Sequence, residues 1–152
     1  MKDSNIYLRH VSMSDARLLF DWRNDSETRK NSFNTDVLIY ESHVDWIKKT
    51  LDAKVPFFIM MKNNYPIGQI RLNESGGVFN ISYSIATEYR GQGYGKEILL
   101  AVESRITRSR VGAVLRGEVK NDNVASYKAF ERLGYVKKSM GEYTEFTKIL
   151  EA

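Results

Sequence analysis

Cysteine is absent from the 152 residues, which excludes disulfides, a thiolate nucleophile and cysteine-based zinc sites. Histidine occurs only as His10 and His43, and no His/Asp/Glu cluster has metal-site spacing, so a metal-independent activity is expected. No apolar run approaches the ~20 residues of a membrane span. The polar start, Met1–Asn5, lacks the apolar core of a signal peptide, so the expected compartment is the cytoplasm, with no membrane partner. Repeats, low-complexity tracts and interdomain linkers are missing too, which predicts one domain over residues 1–152. The net charge of +4 is not gathered into one basic face or run. Mild clusters at Arg105–Arg110 and Lys137-Lys138 read as solvated surface, not as a nucleic-acid footprint. A modest positive field still favours a small polyanionic ligand.

What the chain does have is regular alternation between strand-like and helix-like stretches. Ile6, Leu8 and Val11 alternate with Tyr7 and Arg9 and predict a first strand. Ser12–Asp15 opens a helix, with Ser14 as the candidate N-cap; Ala16, Leu19, Phe20 and Arg23 follow at helical spacing, and fraying begins near Asn24-Asp25. The polar stretch Thr28–Asn34 reads as a loop. Val44, Ile47 and Leu51 mark a second amphipathic helix over Glu41–Leu51. Three strands follow, from Pro56–Met61 to Val78–Ile85, joined at Asn63-Asn64 and Ser75–Gly77. A helix over Lys96–Arg108, a strand over Ala113–Val119, a helix capped within Asn121–Asn123 and running to Leu133, and two closing strands complete the order. Turn-linked neighbours imply antiparallel pairing, and the strand–helix–strand unit implies one parallel pair. The expected fold is α+β: a mostly antiparallel seven-stranded sheet with about four helices.

Between the strand ending at Ile85 and the helix beginning at Lys96 lies Tyr89-Arg90-Gly91-Gln92-Gly93-Tyr94-Gly95-Lys96. Alternate glycines permit φ > 0 and close approach of a ligand to the backbone. The helix start leaves unpaired N–H groups and a positive dipole end facing the loop, which makes an anion site. A P-loop needs Ser/Thr after Gly-Lys, and Glu97 stands there; a dinucleotide loop needs G-x-G-x-x-G, and Gly91, Gly93 and Gly95 are spaced otherwise. The spacing Arg90-x-x-Gly93-x-Gly95 resembles the acyl-CoA pyrophosphate loop of the GNAT N-acetyltransferase superfamily. Asn123-Val124-Ala125-Ser126, continuing to Phe130 and Gly134-Tyr135, resembles that family's second signature.

The resemblance implies an acetyl-CoA-dependent N-acetyltransferase that uses no metal. It implies that Arg90, Gly91, Gln92, Gly93, Tyr94, Gly95 and Lys96 grip the pyrophosphate, that Ser84, Ile85 and Ala86 pair with the pantetheine arm, and that Asn123, Ser126 and Phe130 line it from the other side. The amide of Ile85 would polarise the thioester oxygen. Glu118, facing the same way as Arg116 and Lys120, could be the base, directly or through water, or a surface ion-pair partner; Ser82 and Ser84 could hold a water instead. The family's frequent Tyr acid falls at Phe130, which carries no proton. Tyr127, Tyr83 and Tyr89 are substitutes, and a mechanism with no dedicated acid is also open.

In the first third of the chain, Asp21–Asn24, Arg29, Ser32-Phe33 and His43–Trp46 are similar to family members that acetylate amino-sugar nucleotides, above all those of the pseudaminic-acid pathway. They are more loosely similar to enzymes acting on ribosomal-protein N-termini. The implied acceptor contacts are Trp22, Arg23, Asn24, Arg29, His43 and Tyr83, with arginines suited to a diphosphate. The expected partner is a small-molecule amine, as a nucleotide-linked amino sugar, handled by a monomer or homodimer. The alternatives are a protein N-terminal acetyltransferase and a non-catalytic CoA-binding domain.

Overall fold

The computed structural model describes residues 5–151; Met1–Ser4, within the polar start, and Ala152 lie outside the described residues. The strands are β1 (Ile6–His10), β2 (Phe57–Lys62), β3 (Tyr65–Ser75), β4 (Val78–Ile85), β5 (Val114–Lys120), β6 (Val136–Ser139) and β7 (Tyr143–Ile149). The helices are α1 (Ala16–Asn24), α2 (Ser26–Lys30), α3 (Tyr40–Asp52), α4 (Tyr94–Ser109) and α5 (Val124–Arg132), with 3-10 turns at Met13–Asp15 and Thr87–Tyr89. One sheet runs β1-β2-β3-β4-β5-β7-β6. Every neighbouring pair is antiparallel except β4 and β5, which run parallel.

Period-two alternation divides the sheet's side chains between two cores. On one face Ile70, Leu72, Phe79, Leu115 and Phe146 pack against Ile98, Leu99 and Val102 of α4 and Phe130 of α5. On the other, Phe57, Ile59 and Met61 meet Leu19 of α1 and Ile47 of α3. Beyond these apolar residues the second face turns polar across β3, β4 and β5, and that change leaves room for a site.

The parallel pairing of β4 with β5 covers only Val78–Ile81 against Val114–Gly117, whereas β4 stays paired with β3 as far as Ile85. From Ser82 onward the two parallel strands separate. The Ala86 amide donates to the Ile67 carbonyl on the β3 side at 2.9 Å. Alternation therefore turns the N–H groups of Tyr83 and Ile85 toward the gap.

Two local features differ from expectation. Residues 26–30 form a helix, although no apolar stripe announces it. Asp25 caps it by accepting from the Thr28 amide at 3.0 Å, and Lys120 on β5 donates to the Lys30 carbonyl at 3.1 Å. The polar loop accordingly begins after Lys30, and the helices among the described residues number five. Ser14 does not cap α1: its hydroxyl pairs with that of Ser12 at 2.7 Å. The turn is closed by the Ser12 amide donating to Asp15 at 2.9 Å, and Arg9 secures Asp15 from β1.

Candidate active site

Gly93, with φ of +86°, is the N-cap of α4 and has no side chain to cap with. The first helical bond from the loop is Glu97 N–H to the Gly93 carbonyl, at 3.3 Å. The amides of Tyr94, Gly95 and Lys96 precede it and point out of the helix end, where the dipole is positive. Facing them across a cavity of about 580 Å³ is the start of α5. There Asn123 accepts from the Ser126 amide at 3.4 Å. Two helix N-termini therefore converge on one groove, a geometry that favours an anion.

The floor of that groove is Tyr83. Its hydroxyl donates to Ser126 Oγ at 2.9 Å, and a Cβ on Gly95 would lie 3.3 Å from it. Burial pushes the phenol up to about 12, against a smaller opposing effect of the Ser126 hydrogen bond. Phe130, 1% exposed, stacks on Phe146 with centroids 5.2 Å apart and presses on the backbone of Gly117.

Arg90 holds the loop to α2. Its Nε donates to the Ile85 carbonyl at 3.0 Å, and its Nη2 donates to Asp25 at 2.8 Å and Thr28 Oγ1 at 2.9 Å. Burial opposes ionisation of Asp25, but the hydrogen bonds from Arg90, the Thr28 amide and Thr87 outweigh it and lower its pKa to about 2. The folded state thus favours the carboxylate. This stabilisation is complete above the ordinary aspartate range near pH 4 and disappears as pH falls toward 2. After discounting for a side chain 26% exposed, it is worth about 1 kcal/mol. Urea unfolding should show Asp25→Asn, which keeps the capping oxygen, less stable by that margin at pH 5 and equal to the parent near pH 2. A gap that does not change with pH would refute the assignment.

A second cavity, also about 580 Å³, lies on the polar face of the sheet beneath α1 and α3. Both cavities are lined by Tyr83, Ser84, Asn123 and Ser126, so they meet where β4 and β5 separate. Glu118 and Ser82 line this second cavity. The side chain of Glu118 makes no hydrogen bond or ion pair with a described residue, and its neighbour Arg116 donates to Asn80 at 2.7 Å. Ser84 Oγ accepts from Gln69 at 3.0 Å. Among the described residues no group of three or more His, Asp or Glu could hold a metal, and no helix is long and apolar enough to cross a membrane.

Residues 5–136 match the acetyltransferase (GNAT) domain family. The chain belongs to the GNAT acetyltransferase family. Its fold is that of many solved structures. A domain from Methanocaldococcus jannaschii DSM 2661 superposes with a TM-score of 0.86 at 21% identity, over 97% of this chain and 100% of that one. A putative acetyltransferase, yncA, from Salmonella typhimurium, solved with acetyl-CoA, gives 0.78 at 14% identity over 96% and 94%. A ribosomal-protein-alanine N-acetyltransferase from Brucella melitensis gives 0.79 at 18% identity over 94% and 99%. Likeness at such identities concerns the fold alone. No curated protein sequence matches the chain.

Gly91, Gly93, Gly95, Lys96, Ile85 and Ser84 line the first cavity with Asn123 and Ser126. Arg90 lines it too, but its guanidinium is held by Asp25, Thr28 and Ile85. Tyr94 offers only its amide; the ring is 9% exposed and its hydroxyl accepts from Lys62 at 2.6 Å. Gln92 lines neither cavity and donates to the Glu88 carbonyl at 3.2 Å. Phe130 lines the second cavity, not the first, as an edge of the core. Tyr127 lines neither; its ring meets Phe146 edge-on at 5.1 Å and carries Lys137 on its face. Trp22, Arg23 and His43 line the second cavity, whereas Arg29 and Asn24 do not. Asn24 instead ties down the segment after α2, accepting from the Leu38 amide at 2.8 Å.

Proposed function

We propose that this GNAT enzyme transfers the acetyl group of acetyl-CoA to the primary amine of an amino-sugar nucleotide, working as one domain in the cytoplasm. The observation that carries the reading is the meeting of two cavities at the open edge of β4. One cavity is framed by two helix N-termini and the other contains a free carboxylate. A donor and an acceptor placed in them react in one ternary complex, where proximity supplies much of the rate.

The amides of Tyr94, Gly95 and Lys96 hold the pyrophosphate. The carbonyl of Tyr83 and the amides of Tyr83 and Ile85 give the pantetheine arm an edge to pair with. The carbonyl of Ile85 already accepts from Arg90, and the Ala86 amide is bound to β3, so Ser84 and Ala86 do not supply that edge. The Ile85 amide donates to the thioester oxygen as negative charge develops there. Glu118 takes one proton from the substrate ammonium, freeing the amine to attack, directly or through a water held by Ser82. Tyr83 positions the cosubstrate and is not the acid, because its hydroxyl lies beside Gly95 at the pyrophosphate end and is bonded to Ser126. The departing thiolate takes its proton from the amine or from solvent.

Release of free thiol from acetyl-CoA, followed across amino sugars, nucleotide-linked amino sugars, aminoglycosides and peptide N-termini, tests the reading. The expected result is highest kcat/KM for a nucleotide-linked amino sugar. Preference for a peptide would favour the N-terminal acetyltransferase, and tight CoA binding without turnover would favour a binding domain. Glu118→Gln should lower kcat at neutral pH by about 100-fold and remove the fall in rate on the acid side of the profile; an unaltered pH–rate curve eliminates Glu118 as base.

A further inference from the structure

Four polar atoms on the wall of the second cavity are enclosed with no hydrogen-bond partner among the described residues: Arg23 Nη1, Arg71 Nε, His43 Nε2 and Gln69 Oε1. Buried polar groups are ordinarily paired, so three donor-bearing side chains left open on one wall call for an acceptor. Arg71 rises from β3 opposite Phe57 on one side and Ser82 on the other. Its guanidinium lies over Trp46 at 4.7 Å and over Phe57 at 5.8 Å. Ring contact of this kind takes up no hydrogen-bond donor of the guanidinium, and the buried Nε keeps its N–H without a partner among the described residues. No carboxylate pairs with Arg71 or Arg23 among the described residues. Arg23 secures itself through one nitrogen, donating to the Asn34 carbonyl at 2.7 Å. Burial, and secondarily Arg23, lowers the Arg71 pKa to about 10, as expected of a desolvated cation beside another. His43, stacked on Trp46, is lowered by burial and then by Arg23 and Arg71, which favours neutral imidazole.

We propose that Arg71 and Arg23, with His43, form a subsite for an anionic group, phosphate or carboxylate, that is part of the acceptor molecule. This rests on the reading of the second cavity as the acceptor side. Two like cations brought together on a partly desolvated wall favour an anion that relieves both desolvation and repulsion. The subsite also has a defined separation from the chemistry. Arg71 and Glu118 stand two strands apart on the same face, and because β4 and β5 have parted beyond Ile81 they are more than two strand spacings, about 10 Å, apart at the backbone, so the acetylated amine and the anion belong to separate parts of the acceptor. Three arginines against one glutamate on this wall disfavour polycationic amines such as aminoglycosides and polyamines. The selectivity is therefore for zwitterionic or anionic amines.

The test uses the full chain with saturating CoA, so that the first cavity is filled and cannot take the probe. Inorganic phosphate and, separately, acetate are titrated while tryptophan fluorescence is followed; both tryptophans, Trp22 and Trp46, line the second cavity. A saturable change is expected, with Arg71→Met raising the midpoint about tenfold to a hundredfold and Arg71→Lys falling between. No saturable change in the parent, or an unaltered midpoint in Arg71→Met, overturns the subsite. Arg23→Gln provides a second reading if Arg71→Met does not fold. Initial rates at saturating acetyl-CoA then compare glucosamine, glucosamine 6-phosphate and a nucleotide-linked glucosamine. The subsite predicts at least tenfold higher kcat/KM for whichever phosphorylated form fits, with phosphate inhibiting competitively against the amine. Fluorescence saturation with no competition against the amine would leave an anion site but refute its place in the acceptor cavity.

Discussion

Gly93→Asp should weaken coenzyme A binding by roughly 100-fold or more, measured by calorimetry, while the fold persists. The residue stands at φ of +86° at the start of α4, and a Cβ built there meets nothing within 4 Å. Aspartate tolerates the left-handed region better than most residues, so the folded chain loses only about 1 kcal/mol. The ligand meets a different situation. A carboxylate placed at the mouth of the cradle faces the pyrophosphate at contact range, where like charges repel by about 4 kcal/mol at an effective dielectric near 20. Gly93→Asn has the same shape without the charge and should lose far less affinity. Equal losses for the two variants would assign the effect to backbone strain, and unchanged affinity in Gly93→Asp would remove the pyrophosphate from this loop.

The second large effect concerns stability. A Cβ on Gly117 would come within 2.4 Å of Phe130 Cζ, and Phe130 has nowhere to go. It is 1% exposed, stacked on Phe146 and edge-on to Tyr135 at 4.9 Å. Gly117→Ala should therefore cost about 3 kcal/mol by overpacking. In Phe130→Leu the outer ring atoms are gone, so the same Gly117→Ala change on that background should cost much less. A cycle of urea denaturations on the four proteins would reveal a coupling above about 1 kcal/mol. Simple additivity would show that the clash is relieved by the backbone instead. Gly117 is also the last residue of β5 paired with β4, so the ring of Phe130 sits at the point where the strands begin to separate.

Much of this architecture is legible because it is local. Ser75–Gly77 and the alternation of Val78–Ile85 place a strand whose observed bounds agree with the expected ones, and the glycine spacing from Gly91 to Gly95 marks a helix start, which comes at Tyr94, two residues before the expected Lys96. What escapes the sequence is long-range. The helix at Ser26–Lys30 has no apolar stripe and depends on Asp25, on Arg90 65 positions away and on Lys120. Arg90 reads naturally as a phosphate ligand until that brace is seen. Arg71 is overlooked for a related reason: between Ile70 and Leu72, both 0% exposed, alternation assigns it to solvent. Only the packing of α3 over the sheet turns that position into a cavity wall. Tyr127 differs by direction: one residue past Ser126, about 100° around the helix, its ring meets Phe146 and not the groove.

The gap between β4 and β5 also bears on traffic. It is a slot through the sheet, and in the proposed reaction each reactant has its own doorway to it, one between α4 and α5 and the other beneath α1 and α3. Neither product has to wait for the other to clear a common exit. In that reaction loading and departure are uncoupled by the architecture.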